Sequence, residues 1–379
     1  MRIKDFKLEQ FFTKYEFIAP YLLCCSDCES FSVGELLELD ENSEEDLKGL
    51  SLGYTETQGN PSLRKEISNL YENIDLDDVV VLLGAEEGIF IFMNVFLDKG
   101  DHIIVQYPAY QSLFEVAISI GCEVTKWEMN EQNNWELEID FLKNSIKNNT
   151  KAIVINCPNN PTGYLMSKEK LQMIIDIAKK NDIYIFSDEV YRFLEYDEKD
   201  RLPAMCDIYN KGISLGDMSK TFALPGLRIG WIATKDKSLI QKIISFKHYT
   251  SICNSALSEF FSILVLKNKE YVIKRNLNLI ENNLKLLDKF FNDYNHLFEW
   301  VKPQAGVIGF PRIKFNEDIE KFYSDLLKKK GVLLMSSTNF DFGGKHFRIG
   351  FGRKNMPEAL EKLEKYIQEY YLSRKKIKK

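Results

Sequence analysis

Two periodicities alternate along the middle of the chain. Short, β-rich apolar runs stand at Val79-Val80-Val81-Leu82-Leu83, Ile103-Ile104-Val105, Ala152-Ile153-Val154-Ile155 and Ile183-Tyr184-Ile185-Phe186. Two more follow at Gly212-Ile213-Ser214-Leu215 and Ile229-Gly230-Trp231-Ile232-Ala233. Longer amphipathic stretches separate most of them. In 168–180, for example, Leu171, Ile174, Ile175 and Ala178 fall at helical spacing. Strands alternating with helices predict a mostly parallel sheet covered on both faces.

Past about residue 237 the texture changes. Helical patterns dominate 239–291. Strands are then expected at Val307-Ile308-Gly309-Phe310, Gly331-Val332-Leu333-Leu334 and His346-Phe347-Arg348-Ile349, and an amphipathic helix over 357–371 closes the chain. The expected fold class is α/β: a large domain with a mostly parallel sheet between helices, plus a smaller α+β domain. The expected boundaries are 46–264 for the large domain and 265–379 for the small one, with an N-terminal segment, 1–45, joining the latter.

Open α/β sheets bind ligands beyond the carboxyl ends of their strands. The polar residues that follow each apolar run are therefore the informative ones. They include Asn156 to Gly163 after one run and Ser187-Asp188-Glu189-Val190-Tyr191 after another. Gly216-Asp217-Met218-Ser219-Lys220 and Gly84-Ala85-Glu86-Glu87 follow two more. An amide, a carboxylate, a phenol and a lysine thus converge on one edge of one sheet.

Composition narrows the function classes. A chain of 379 residues fits two or three domains and buries a core without staples. The net charge of −6 argues against a broad basic surface, so no nucleic-acid partner is expected. The basic run Arg374-Lys375-Lys376-Ile377-Lys378-Lys379 reads as a solvated end. No apolar run follows the charged N-terminus and no stretch approaches 18 apolar residues, so neither a signal peptide nor a membrane span is expected. The expected compartment is the cytoplasm. Seven scattered cysteines then read as reduced thiols. The cluster Cys24-Cys25-Ser26-Asp27-Cys28 lacks a second group of ligands at metal spacing, and none of the four histidines supplies one. No metal is expected there; a packed or substrate-facing loop is.

The segment Ser219-Lys220-Thr221-Phe222-Ala223-Leu224-Pro225-Gly226-Leu227-Arg228-Ile229-Gly230-Trp231 resembles the cofactor-lysine signature of fold type I, pyridoxal-phosphate-dependent aminotransferases of class I/II. The resemblance runs from about Gly53 to Arg348, with the motifs in the family's order. It implies that Lys220 holds pyridoxal 5′-phosphate as a Schiff base and, once freed, moves a proton at the substrate Cα. It implies that Arg228 and Ser219 hold the phosphate, since a guanidinium clamps phosphate in a bidentate fork. Backbone N–H groups of Gly84, Ala85 and Glu86, at the start of a helix, would join them.

The same resemblance implies that Asp188 keeps the pyridine nitrogen protonated. Tyr191 and Asn160 would hydrogen-bond the phenolate oxygen, and Tyr110 would stack on the ring. Arg348, with Asn160, would receive the substrate α-carboxylate. Tyr54, in Gly53-Tyr54 followed by Gly59 and Leu63-Arg64, would reach the phosphate of a neighbouring subunit, which implies a homodimer.

Three departures stand out. Asp217 and Glu86 occupy positions where the family often has Ser or Thr near the phosphate, and a carboxylate there repels a phosphate dianion. Either these side chains turn away and backbone amides take over, or cofactor affinity drops. The segment 19–30 is similar to that of capreomycidine-synthase-like enzymes, which act on hydroxylated arginine, rather than to the usual glycine-containing loop.

The expected activity is transfer of an amino group from an L-amino acid to a 2-oxo acid by a ping-pong cycle. A β/γ-lyase or a cyclising synthase on the same scaffold is the alternative. A ligand-sensing regulator is disfavoured, because the site motifs begin near residue 53 and leave no room for a DNA-binding module.

Overall fold

The computed structural model describes residues 2–316 and 318–372. The basic run from Arg374 to Lys379 lies outside them. Each of the six apolar runs is a strand: β1 (Val79–Leu82), β2 (His102–Tyr107), β4 (Thr150–Asn156), β5 (Tyr184–Asp188), β6 (Gly212–Asp217) and β7 (Gly230–Ala233). A further strand, β3 (Glu123–Glu128), was not legible in the pattern. Its sequence Glu-Val-Thr-Lys-Trp-Glu buries Trp127 alone, because β3 is an edge strand with a partner on one side.

The seven strands lie in the order β1-β7-β6-β5-β4-β2-β3. Strands β2 to β6 pair in parallel, and β7 runs antiparallel to both β1 and β6. Successive side chains of a strand point to opposite faces. Ile103, Val105, Val154 and Phe186 therefore pack on one face with Ile89, Phe92 and Ile240. Ile104, Ile153, Ile155 and Ile185 pack on the other with Leu171, Ile174 and Ile175. Both faces are covered, which is why these strands read as unbroken apolar runs.

The 239–291 region forms the helices Lys237–Lys247, Ala256–Lys267 and Lys269–Asp293. Beyond it, Ile308–Gly309 and Met335–Ser336 flank Phe347–Gly350 in an antiparallel sheet. Within the expected strand at 331–334, Val332–Leu333 pairs in parallel with Tyr21–Leu22; a separate strand just beyond it, Met335–Ser336, pairs with Phe347–Gly350. The closing helix, Met356–Ile367, buries Met356, Ala359, Leu360, Leu363 and Ile367 along one stripe. Among the described residues no helix is long and apolar enough to cross a membrane.

The segment 24–28 lies against residues 350–352. Gly350 donates its N–H to the Leu23 carbonyl at 2.9 Å, and Glu29 donates to the Gly352 carbonyl at 2.7 Å. The backbones approach so closely that a Cβ on Gly350 would stand 1.9 Å from the Cys25 carbonyl oxygen. A Cβ on Gly352 would stand 2.4 Å from that of Asp27. Cys24, Cys25 and Cys28 are buried beneath this crossing. Burial pushes the Cys25 thiol up to about 11 and that of Cys28 to about 12, so both are packed, protonated thiols.

Gly350→Ala forces a methyl group into a backbone carbonyl that has nowhere to retreat. We expect a stability loss of about 1–3 kcal/mol. Thermal melts against Gly343→Ala, where a Cβ meets nothing within 4 Å, check this. Equal melting temperatures for the two variants would refute the close approach.

Candidate active site

A cleft of about 410 Å³ opens at the carboxyl ends of β4, β5 and β6. Asn156, Asp188 and Asp217 are the last residues of these three strands, and all three line the cleft. Beyond Asp217 the chain turns sharply. The Asp217 carboxylate accepts the backbone N–H groups of Ser219 at 3.1 Å and Lys220 at 3.3 Å. Further along, Ala223 and Arg228 adopt left-handed backbone conformations, φ 57° and 52°. Each costs about 1–2 kcal/mol for a residue with a Cβ. The turn directs Lys220 into the cleft and brings Arg228 back to its rim.

Asp217 is thus engaged in holding its own turn. Its carboxyl is raised by burial, with Lys220 and the two N–H groups opposing. The Lys220 amine is also buried. Desolvation lowers its pKa, but the Tyr191, Asp27 and Asp217 side chains outweigh that and leave it raised. Its Nζ donates to the Ser26 hydroxyl at 3.1 Å.

The opposite rim is the start of the helix Gly84–Phe96, whose first N–H groups have no partner within the helix. Gly84 has φ +77°, and a Cβ there would sit 2.7 Å from Arg228 Nη2. The missing side chain leaves a cradle between a helix N-terminus and a guanidinium, with Ser219 on the same wall. Such a cradle takes an anion. Glu86, in the first turn, accepts a hydrogen bond from Ser112 Oγ at 2.9 Å. Burial pushes its carboxyl up to about 7, so near neutral pH it is substantially protonated and tolerates an anion nearby.

Deeper in, burial raises Asp188 to about 7, against one hydrogen bond from the Val190 N–H at 3.2 Å. A carboxylate so desolvated is completed by a facing cation. The Tyr191 hydroxyl donates to the Ser26 carbonyl at 3.0 Å. Tyr110 lines the same cleft and donates to Glu9 at 2.9 Å. Arg348 is 1% exposed. Its Nε donates to the Cys24 carbonyl at 2.9 Å and its Nη1 to Asn160 Oδ1 at 3.3 Å. Its Nη2 has no partner among the described residues, a buried donor left free on the cleft wall.

The cleft therefore brings together Ala85, Glu86, Tyr110, Asn160, Asp188, Tyr191, Ser219, Lys220, Arg228 and Arg348. Gly84 shapes its rim. Tyr54 is not among them: it is 92% exposed, away from this chain's cleft. Ser26 and Asp27, in the segment expected to be a packed or substrate-facing loop but given no role of their own, also line the cleft, as does Arg353, which sequence reasoning missed and whose Nη2 pairs with Asp27 at 2.7 Å. Sequence reasoning also missed Phe12 and Glu16 from the N-terminal end of the chain. The signal for Ser26 and Asp27 was their polarity inside a cysteine-rich run; Arg353 and Glu16 carried none.

The sequence model of the family described as aminotransferase class I and II matches residues 30–363. The glutamate-pyruvate aminotransferase AlaA of Haemophilus influenzae is 30% identical over 84% of this chain and 83% of its own. An aspartate aminotransferase of Pyrococcus abyssi is 28% identical over 83% and 84%. The structure of a PLP-dependent aminotransferase from Streptococcus suis superposes with a TM-score of 0.92 at 30% identity, covering 98% of this chain and 99% of that one. The PLP-dependent cyclase OrfR, at 24% identity, shares the fold, with a TM-score of 0.89 over 97% and 98%.

The cleft fits a phosphorylated pyridine aldehyde. It offers an anion cradle at Gly84 and Arg228, a buried carboxylate at Asp188 and an amine at Lys220 within one wall. By sequence, fold and the chemistry of these side chains, the chain belongs to the class I and II aminotransferases, enzymes that work with pyridoxal 5′-phosphate.

Proposed function

We propose that the enzyme takes the amino group of an L-amino acid and delivers it to a 2-oxo acid in two half-reactions, with the cleft side chains in the following roles. The observation that carries this reading is the Lys220 amine in the same cleft as Asp188 and the free Nη2 of Arg348. When bound, the cofactor supplies an electron sink for the bonds at the substrate Cα. Arg348 Nη2 receives the substrate α-carboxylate, with Asn160 steadying the guanidinium. Lys220 Nζ takes the Cα proton and returns one to the product side. Asp188 holds a proton at the ring nitrogen, where its own burial makes the opposite charge welcome. Tyr191 and Asn160 would hydrogen-bond the ring oxygen, and Tyr110 would stack on the ring. Arg228, Ser219 and the N–H groups of Gly84, Ala85 and Glu86 hold the phosphate. Leu8 and Phe12 of the helix Lys7–Tyr15 line the cleft and would help to exclude water from it.

The outer cleft favours a donor with a neutral or cationic side chain. Arg353 is already paired with Asp27. Burial, Asp27 and Glu9 raise the carboxyl of Glu16 against the opposing pull of Arg353 and Lys220, so the acids prevail on this wall. A second carboxylate on the substrate would be repelled there.

The working unit is proposed to be a homodimer. Tyr54 is 92% exposed beside Leu52 at 72%, an apolar edge suited to a second copy of this chain. Its hydroxyl would reach the partner's phosphate. The cytoplasm is the proposed compartment, supported by seven free thiols.

Lys220→Ala should abolish turnover and the lysine-linked absorbance of added cofactor, while the melting temperature stays near that of the parent. A panel of L-amino acids, read by oxo-acid release and cofactor absorbance, identifies the donor. Undiminished turnover in the variant would remove Lys220 from the mechanism. Ammonia or a cyclised product in place of transferred nitrogen would assign a lyase or a synthase.

Glu86 supplies a pH test. Its folded pKa of about 7 lies above the ordinary value of 4.5, so the folded state holds the proton between the two. Stability from this group is present below about pH 4.5 and lost as pH rises through about 7. Above that, the ionised carboxylate opposes the phosphate by on the order of 1 kcal/mol, about fivefold in affinity. Cofactor titrations at pH 6 and pH 8.5 should show Glu86→Gln gaining on the parent at the higher pH. An unchanged ratio would place the Glu86 charge away from the phosphate.

Tyr54→Phe should weaken cofactor retention about tenfold, the scale of one charge-assisted hydrogen bond. Mixed dimers of Tyr54→Phe and Lys220→Ala subunits give the cross-subunit readout. They should hold one site with an intact lysine and an intact tyrosine from opposite chains. A monomeric protein by sedimentation, or tyrosine loss without effect, would sink the assignment.

A further inference from the structure

We propose that Ser26 is a positioning residue, whose hydroxyl holds the Lys220 amine in the orientation that takes and returns the substrate Cα proton. This rests on the role of Lys220 given above.

The contact is direct: Lys220 Nζ donates to Ser26 Oγ at 3.1 Å, and the two residues lie 194 positions apart in the chain. In the run 24–28, Cys24, Cys25, Asp27 and Cys28 are all buried, while Ser26 is partly open to the cleft it lines. Its backbone is pinned on every side. The Cys24 carbonyl accepts Arg348 Nε at 2.9 Å, the Ser26 carbonyl accepts the Tyr191 hydroxyl at 3.0 Å, and Asp27 pairs with Arg353 at 2.7 Å. The close crossing at Gly350 adds a steric wall behind Cys25. A hydroxyl held this way has little freedom to drift, which is what positioning a reacting amine requires.

The chemistry follows from the lone pairs. A neutral amine has two N–H donors and one lone pair, and a serine oxygen can accept one of those donors. With one N–H tied to Ser26, rotation about the last carbon–nitrogen bond is restricted and the lone pair keeps a fixed direction. The Cα–H bond then breaks, its electron pair stays with the substrate, and the proton forms a third N–H on Lys220. Ser26 keeps its own proton and its contact throughout. The reverse transfer releases the proton and restores the neutral amine. Because Ser26 accepts from the amine in both forms and binds the cation more strongly, its loss weakens the charged form.

Arg348 and Lys220 are also joined through this one segment. The guanidinium that faces the carboxylate and the amine that faces the Cα both bond to it, at Cys24 and Ser26.

The test compares Ser26→Ala and Ser26→Thr with the parent enzyme, each checked for an unchanged melting temperature. Tyr191, Asp27, Asp217, Asp188 and Arg348 also face this amine and stay constant across the set. In cofactor-free protein, acetylation of Lys220 by acetic anhydride is followed against pH by peptide mass spectrometry. Ser26→Ala should move the midpoint down by about one unit, and Ser26→Thr should restore it. In the cofactor-loaded enzyme, single-turnover amino transfer should slow at least about tenfold in Ser26→Ala. The Cα-deuterium isotope effect should rise, donor affinity should stay within about twofold, and Ser26→Thr should recover the rate. An unmoved midpoint, a rate near that of the parent, or no recovery by threonine would each overturn the proposal. Lys220→Ala separates the two levels. If it keeps turnover, the role of Lys220 falls; if it is dead while Ser26→Ala is unaffected, Ser26 alone is set aside.

Discussion

The turn that follows β6 sets the geometry of everything around it. Asp217 ends the strand and gathers the N–H groups of Ser219 and Lys220 onto its carboxylate. The left-handed residues Ala223 and Arg228 then fold the chain back so that β7 can return antiparallel beside β6. One amine and one guanidinium are fixed relative to each other by that single piece of backbone. Gly84 stands at φ +77°, a conformation that favours glycine, where Arg228 arrives, and Gly230 must lack a side chain because the Gly84 backbone lies 2.4 Å from where its Cβ would be. The strain of two left-handed residues is held in place by the sheet on both sides of the turn.

The cleft is electrostatically unfinished. Burial raises Asp188 and Glu86 to about 7, and Asp217 is raised as well. A free guanidinium nitrogen on Arg348 faces the same space. These groups carry unfavourable desolvation that the folded chain alone does not offset. A cation facing Asp188 and a carboxylate facing Arg348 would offset two of these costs. The same groups give the cleft selectivity for what fills it.

Much of this was legible in the sequence, for identifiable reasons. Strands β1, β2 and β4 to β7 are covered on both faces, so they appear as unbroken apolar runs. Strand β3 is an edge, and Glu123-Val124-Thr125-Lys126-Trp127-Glu128 left no such trace. Lys220, Arg228 and Asp188 sit in local motifs dictated by a single turn or strand end. Ser26 and Arg353 do not. Their partners are 194 and 326 residues distant, and nothing local records a contact of that kind. The concern over Asp217 came from taking its position without its direction: the carboxylate is spent on its own backbone. Glu86 does line the cleft, and its raised carboxyl is what reconciles it with an anion there.

The crossing of segment 24–28 with residues 350–352 has a consequence for the order of events during synthesis. Chains emerge from the ribosome N-terminus first, and domains fold as they appear. The sheet from β1 to β7 is complete once Ala233 is out, so a nascent chain already carries Lys220 on its finished turn. The wall made by Cys24, Ser26 and Arg348 cannot form until more than a hundred further residues have followed. Closing so long a loop is slow, since the entropy of bringing the two ends together comes before any contact compensates it. Until then Lys220 lacks its contact with Ser26, and Arg348 its contact with Cys24. The contacts that tie Lys220 and Arg348 to one segment are therefore among the last long-range contacts the chain can make, formed when its two ends meet.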